Sequence, residues 1–430
     1  MPRARTLHLA ATAVVLAVGA GGAGCEVELR GIDGRPVVTD FSSGMPLVGA
    51  CVVGVGGCDG VPMPMVIDTA TPLTIITPEV GATVERRTVR LDLLATGPTG
   101  WVPRARFDGI ALLAPAGRAG VSAPTLGAIL GGDFLVDLAL RIDVREGELR
   151  FFPDISGADA THNDTCEAVV RASPAGGGDF TLAGGEVSFV PTRIVLPVCL
   201  SPDLPRDAAP RGEGEDGALV LATGLDVTVL SRGAWLRARA AEEGGPVSAS
   251  ELDALPGIEV YLPGMATPAA ARLGSLRWLA IATDPLDEAA TQRGPCAELL
   301  GNRVMTRDGT CMPGSACHCA GSAFHCAAGA AVELAGPIPV AVVADEEPFL
   351  QALRSELRPE APDVVGLLAM GALAPLVTDL DYPNGRVMFR CHDLDDPTCK
   401  VRPAVATPED RERLIDLGCA LGRQATGIAY

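Results

Sequence analysis

Asp68 sits inside an apolar stretch, Val66 to Ile76, that reads V-I-D-T-A-T-P-L-T-I-I. A second stretch, Val220 to Leu230, reads V-L-A-T-G-L-D-V-T-V-L. Both follow one pattern: an apolar pair, a small or acidic residue, Thr, a tiny residue, three variable positions, Thr, and an apolar pair. The first copy holds Asp68 where the second holds Ala222. The difference is chemical. Two carboxylates a few ångströms apart cannot both ionise, so they share a proton: the charged one activates water and the neutral one polarises a carbonyl. A lone carboxylate has no neutral partner to act as the electrophile. Asp226, four positions beyond Ala222, is the nearest substitute acid, and its displacement along a strand and turn aims it elsewhere.

The elements that must hold these residues are strands. Short apolar runs punctuated by Gly, Pro and Asp recur at Thr88 to Leu94, Val102 to Leu113, Leu138 to Phe152, Ile194 to Leu200, Leu219 to Leu230 and Ile338 to Ala344. Three helices are expected: Trp235 to Glu243, Pro348 to Leu357 with Pro in its first turn, and one from Thr407 to near Gly418. A second echo follows the first in the same order. Ala128 to Leu135 leads to Ile142 to Phe151, and Gly366 to Leu373 leads to Leu380 to Phe389; each ends in a hairpin with Gly at its turn, Gly147 and Gly385. Two echoes in the same order indicate a duplicated β unit.

These residues resemble the aspartic peptidases of the pepsin and retropepsin kind. That family carries a hydrophobic pair followed by Asp-Thr-Gly in each half, and later a hydrophobic pair and Gly behind the active-site loop. The first half offers Ile67-Asp68-Thr69-Ala70 and Ile129-Leu130-Gly131, and the second Leu221-Ala222-Thr223-Gly224 and Leu367-Leu368-Ala369. The resemblance implies an all-β, duplicated, bilobal β-barrel fold with a few short helices. It also implies that Thr69 and Thr223 tie the two loops together, and that Asp68 is the surviving catalytic acid with Ala222 at the place of the lost one. Ala70, where the family has Gly, is a mild steric departure, while Gly224 keeps the family residue. The expected function is an exported pseudoprotease whose interlobe cleft holds an extended peptide or protein segment. The alternatives are an active endopeptidase pairing Asp68 with an unidentified acid or by dimerisation, and a structural envelope lipoprotein without ligand.

The chain has 430 residues, enough for two lobes. Residues 1–24 have the layout of a secretory signal, with Arg3 and Arg5 before an apolar run. Ala23-Gly24-Cys25 resembles the end of a bacterial lipobox, which makes Cys25 a lipidation site and the bacterial cell envelope the expected location. Residues 26–165 and 166–390 form the two lobes, 296–326 a Cys-rich insertion, and 391–430 a tail with a helix. Setting Cys25 aside from the 13 cysteines leaves an even number, suited to disulfides such as Cys51 with Cys58 and Cys391 with Cys399. Cys311, Cys317, Cys319 and Cys326, near His318 and His325, match no zinc spacing, and no metal or cofactor is expected. A net charge of −19 repels nucleic acid and anionic membrane, leaving a lipid anchor as the one membrane contact expected. The chain carries no phosphate-cradling Gly loop, no Gly-x-Ser-x-Gly elbow and no His placed for a hydrolase triad.

Overall fold

The computed structural model describes residues 28–403, except 31, 54–61, 78–84, 98–99, 114–126, 154–167, 183–184, 201–213, 244, 264–266, 282–316, 321–322, 327–329, 359–363 and 392–398. The first half runs β1 (Glu28–Arg30), β2 (Pro36–Val38), β3 (Leu47–Val53), β4 (Met63–Ile67), β5 (Ile75–Ile76), β6 (Glu85–Gly97), β7 (Gly100–Leu113), β8 (Ala128–Leu130), α1 (Gly132–Leu135), β9 (Ala139–Asp143) and β10 (Glu148–Phe152). The second opens with β11 (Ala168–Arg171), β12 (Gly178–Leu182), β13 (Gly185–Phe189), β14 (Val195–Leu200), β15 (Glu215–Ala222) and β16 (Thr228–Ser231). Next come α2 (Arg232–Glu243), α3 (Ala249–Asp253), β17 (Gly257–Val260), β18 (Ala269–Ile281), β19 (Cys317–Ala320), β20 (Ala323–Cys326) and β21 (Ala330–Val343). It closes with α4 (Pro348–Leu357), β22 (Val364–Ala369), α5 (Met370–Leu373), β23 (Leu376–Asp381), β24 (Arg386–Cys391) and β25 (Cys399–Pro403).

Three sheets organise the chain. A seven-stranded sheet, β1-β7-β5-β8-β4-β3-β6, belongs to the first half, and an eight-stranded sheet, β17-β18-β14-β15-β22-β16-β21-β25, to the second. Each folds back on itself through an extra pairing, β6 with β7 and β18 with β21. Between them lies a shared six-stranded sheet, β11-β24-β23-β9-β10-β2, in which β9 of the first half pairs antiparallel with β23 of the second. The fold is therefore all-β and bilobal, with two halves of repeated architecture joined by the shared sheet.

Burial explains the patterns. In β3 only alternate residues, Val48, Ala50 and Val52, are buried, as for a strand with one face on the core. In β22 all six residues are buried, because the strand lies between two neighbours with both faces covered. The central junction is pinned by a buried ion pair: Arg141 Nε and Nη2 donate to the two carboxylate oxygens of Asp379 at 2.8 and 3.2 Å, directly across the β9 and β23 register. Both hairpin glycines adopt left-handed backbone, Gly147 at φ +68° and Gly385 at φ +59°, where a Cβ is disfavoured.

Several expectations shift. The stretch Leu219 to Leu230 is two strands, β15 and β16, because the chain turns at Thr223 to Val227. Cys399–Pro403, expected in a tail, pairs with β21 as an edge of the second sheet. The helix near Trp235 starts three residues earlier, at Arg232, and Pro348–Leu357 has the expected ends. Within the Cys-rich insertion, β19 and β20 form a hairpin with Cys317 opposite Cys326 and His318 opposite His325. Cys51 and Cys199 each take part in a disulfide. Residues 1–24, Cys25, Cys58, Cys311 and the helix from Thr407 lie outside the described residues.

Candidate functional site

Each lobe builds the site from the same hydrogen-bonded loop. β4 runs parallel to β8, the chain turns at 68–74, and β5 returns antiparallel on the other side of β8. β15 and β16 flank β22 in the same two senses. The loop contacts repeat as well. Gly132 N–H donates to the Thr71 carbonyl (2.8 Å) and Met370 N–H to that of Leu225 (3.0 Å). The Gly131 amide donates to Thr74 Oγ1 (3.0 Å) and the Ala369 amide to Thr228 Oγ1 (3.3 Å). Ile67 pairs with Leu130 and Leu221 with Leu368, so the residues that follow, Asp68 and Ala222, occupy equivalent positions. Ala70 matches Gly224, and Asp133 matches Gly371, by the same register.

The two loops interlock. Thr69 Oγ1 donates to the Leu221 carbonyl and Thr223 Oγ1 to the Ile67 carbonyl, each at 2.7 Å. Each hydroxyl also accepts the other threonine's backbone amide, at 3.1 Å from Thr69 and 3.3 Å from Thr223. Both threonines are fully buried. A buried polar group left unpaired costs about 1–3 kcal/mol, so this reciprocal set fixes the loops relative to one another.

Asp68 lies at the seam, 3 % exposed. Its Oδ1 accepts the amides of Ala70 (3.0 Å) and, across the seam, Gly224 (3.1 Å), while Oδ2 accepts the Thr71 hydroxyl at 2.5 Å. Gly224 is required here by close approach, since a Cβ on it would stand 2.6 Å from Asp68 Cγ. Ala70, by contrast, tolerates its methyl group, which is buried in the same apolar cluster as Ala222. Among the described residues no second carboxylate hydrogen-bonds to Asp68. Asp226 is exposed and packs against Gly44, where an added Cβ would lie 2.6 Å from Asp226 Cβ. No metal-holding group of His, Cys, Asp or Glu occurs among the described residues.

Three neighbours of the site escape the sequence pattern. Thr71 has no counterpart hydroxyl in the second half, where Leu225 stands. Asp133 Oδ1 accepts the Thr74 hydroxyl at 2.7 Å, and burial of its carboxyl pushes Asp133 up to about 7 against the pull of that bond. Tyr382 is buried with an unpaired hydroxyl; burial first, and then the charge of Asp68, raises it above the ordinary phenol value. The sequence signal for Asp133 was present in Gly131-Gly132-Asp133-Phe134-Leu135, but its burial depends on the loop that folds over it. Trp101 stands opposite Thr96 in the long β6 and β7 hairpin.

No family model and no curated protein matches the chain. Among solved structures it is similar to an aspartic proteinase from Irpex lacteus, at 10% identity and a TM-score of 0.34, over 85% of this chain and 99% of the other. It is also similar to basic 7S globulin from soybean, at 12% identity and a TM-score of 0.39, over 86% and 97% of the two chains.

Proposed function

We propose that this chain is a catalytically degenerate aspartic-peptidase-like protein, which binds an extended peptide segment between its lobes without cleaving it. The observation that carries this reading is the environment of Asp68: three donors hold it, and Ala222 stands at the equivalent position of the other lobe. Peptide hydrolysis by a carboxyl pair requires one group to take a proton from water and the other to donate to the carbonyl oxygen. The seam supplies the first and offers a methyl group in place of the second. Dimerisation through Asp68 is disfavoured because this chain's own Ala222 to Gly224 loop already fills the place beside it. Recognition of the peptide would run through backbone pairing along a strand, as in other β-augmentation sites.

The same reading takes the chain to the bacterial cell envelope, anchored through a lipid on Cys25 after removal of residues 1–24. Deciding between binder and enzyme takes one comparison. Purified protein is incubated at acid pH with a protein substrate and a library of extended peptides, and binding and cleavage are both scored. Binding without cleavage is expected; cleavage that Asp68→Asn abolishes would establish the enzyme instead.

A further inference from the structure

The second lobe carries a cavity of about 520 Å³, a size at which pockets hold small organic molecules. Asp68, Ala222 and the two seam threonines do not line it. The parallel strands β16 and β21 both end there: Ser231 passes into Arg232, the first residue of α2, and Val343 into Ala344. α3 forms another wall through Leu252 and Asp253, and its start is fixed by the capping box of Ser248 and Glu251. On β17, Gly257 stands opposite Arg272 of β18 and leaves the space beside it open, since a Cβ there would meet only Arg272 Nη1, at 3.6 Å.

Four charged side chains line the cavity: Arg232 and Arg272, and the exposed Asp253 and Glu259. None of the four belongs to an ion pair among the described residues, whereas Arg90, Arg106, Arg141, Arg193 and Arg237 each have a carboxylate partner. Arg272 is nevertheless held in place, because its Nη1 donates to the Leu255 carbonyl at 3.0 Å. Glu259 follows Gly257 by two residues, so it shares that face of β17 and lies diagonal to Arg272. The buried Leu252 and Val342 add apolar surface between the charges. The start of α2 is already occupied, since Asp345 Oδ1 accepts the Gly233 amide at 2.9 Å, and recognition falls to the side chains.

The lining is balanced in a chain that carries −19 overall. A simple anion would pair with two guanidiniums but face two carboxylates, and a simple cation would meet the reverse. A ligand with both signs satisfies all four groups. We propose that this cavity binds an apolar zwitterion, an ammonium and a carboxylate on a short apolar body, the chemistry of a free apolar amino acid or a short peptide with free ends. The carboxylate pairs with Arg272 and Arg232, where planar guanidinium forks suit it, and the ammonium pairs with Glu259 and Asp253. This site is separate from the seam, so its failure would leave the reading of the cleft untouched.

The test titrates the full-length protein by calorimetry with leucine, leucyl-leucine, acetyl-leucyl-leucine and leucyl-leucinamide. Leucine or leucyl-leucine should bind, and the tighter of the two identifies the source; each end-blocked analogue should bind at least about tenfold more weakly than leucyl-leucine. Arg272→Gln should erase the preference for the free carboxylate, and Glu259→Gln the preference for the free amine. Gly257→Leu should fill the cavity and abolish binding, while any binding that persists in it belongs elsewhere on the protein and overturns the assignment. Equal affinity for free and blocked forms, or no heat with either zwitterion, would overturn the proposal. So would an acetylated peptide that binds as tightly as the free one, which would make the cavity a plain anion site. The wild-type series decides among these outcomes even if a variant fails to fold.

Discussion

The backbone amide of Gly224 lies 3.1 Å from Oδ1 of Asp68, so a residue of one lobe completes the hydrogen-bonding shell of an acid carried by the other. The space between them leaves no room for a side chain. Gly224→Ala places a methyl 2.6 Å from the carboxyl carbon, and overpacking of this kind costs about 1–3 kcal/mol. Urea unfolding should record that loss, and a variant as stable as the parent would mean that the lobes do not meet this closely.

Supplying a second acid is the strongest check on the proposed degeneracy. Ala222→Asp sets a carboxyl at the position equivalent to Asp68, and the pair can then share a proton. Hydrolysis of an acid-pH peptide substrate should rise by about 10²-fold or more above the parent's background, the scale of one positioned acid or base. Adding Asp68→Asn should return it to background. A folded Ala222→Asp protein that cleaves nothing would show that the equivalence of the two loops does not extend to the chemistry.

Thr69→Val and Thr223→Val each remove a hydroxyl that both donates and accepts across the seam. Each strands a buried carbonyl and a buried amide, for a cost of about 2–5 kcal/mol. The two substitutions remove different hydrogen bonds but release the same pair of interlocked loops, so the double variant should cost less than the sum of the two single ones. Denaturant unfolding of both single variants and the double variant measures the coupling directly.

Asp133 predicts a pH dependence with a definite sign. Its carboxyl stands at about 7 in the folded protein against 3.8 in an exposed reference, so between these values the folded state binds the extra proton. That contribution to stability is fully present below the unfolded value and is lost as pH rises through about 7. Asp133→Asn keeps an acceptor for Thr74 and should flatten the fall in unfolding free energy between pH 4 and pH 7, a change of about 1–4 kcal/mol across the window. A fall of the same size in the variant would assign it to other groups.

Much of this arrangement is legible in the chain before folding. The paired patterns around Asp68 and Ala222, and the hairpins at Gly147 and Gly385, report local needs: strand alternation, tight turns and glycines free of Cβ strain. Such needs leave a mark within a few residues. The turn at Thr223 to Val227 was hidden because its apolar neighbours continue the strand pattern, and only the return of β16 along β22 shows where the strand ends. The bonds from Thr71 and Thr74 were hidden for a different reason, since a Thr reads as a strand former whether or not its hydroxyl has a distant partner. The substitution of Gly371 for Asp133 in the second half belongs to the same class: it becomes visible only when both loops are superimposed by their hydrogen bonds.

The shared sheet has a bearing on how the chain can be divided. β9 and β23 are interior strands only because each covers the other, with Arg141 and Asp379 meeting between them. A cut in the connection between β10 and β11 would give two fragments, each ending in a bare ladder of amides and carbonyls and one half of a buried charge pair. Neither fragment has a way to satisfy that edge alone, so each should self-associate or precipitate when produced singly and reassemble when the two are produced together. The lobes are thus a single cooperative object despite their repeated design, and the duplication that made them also removed their independence.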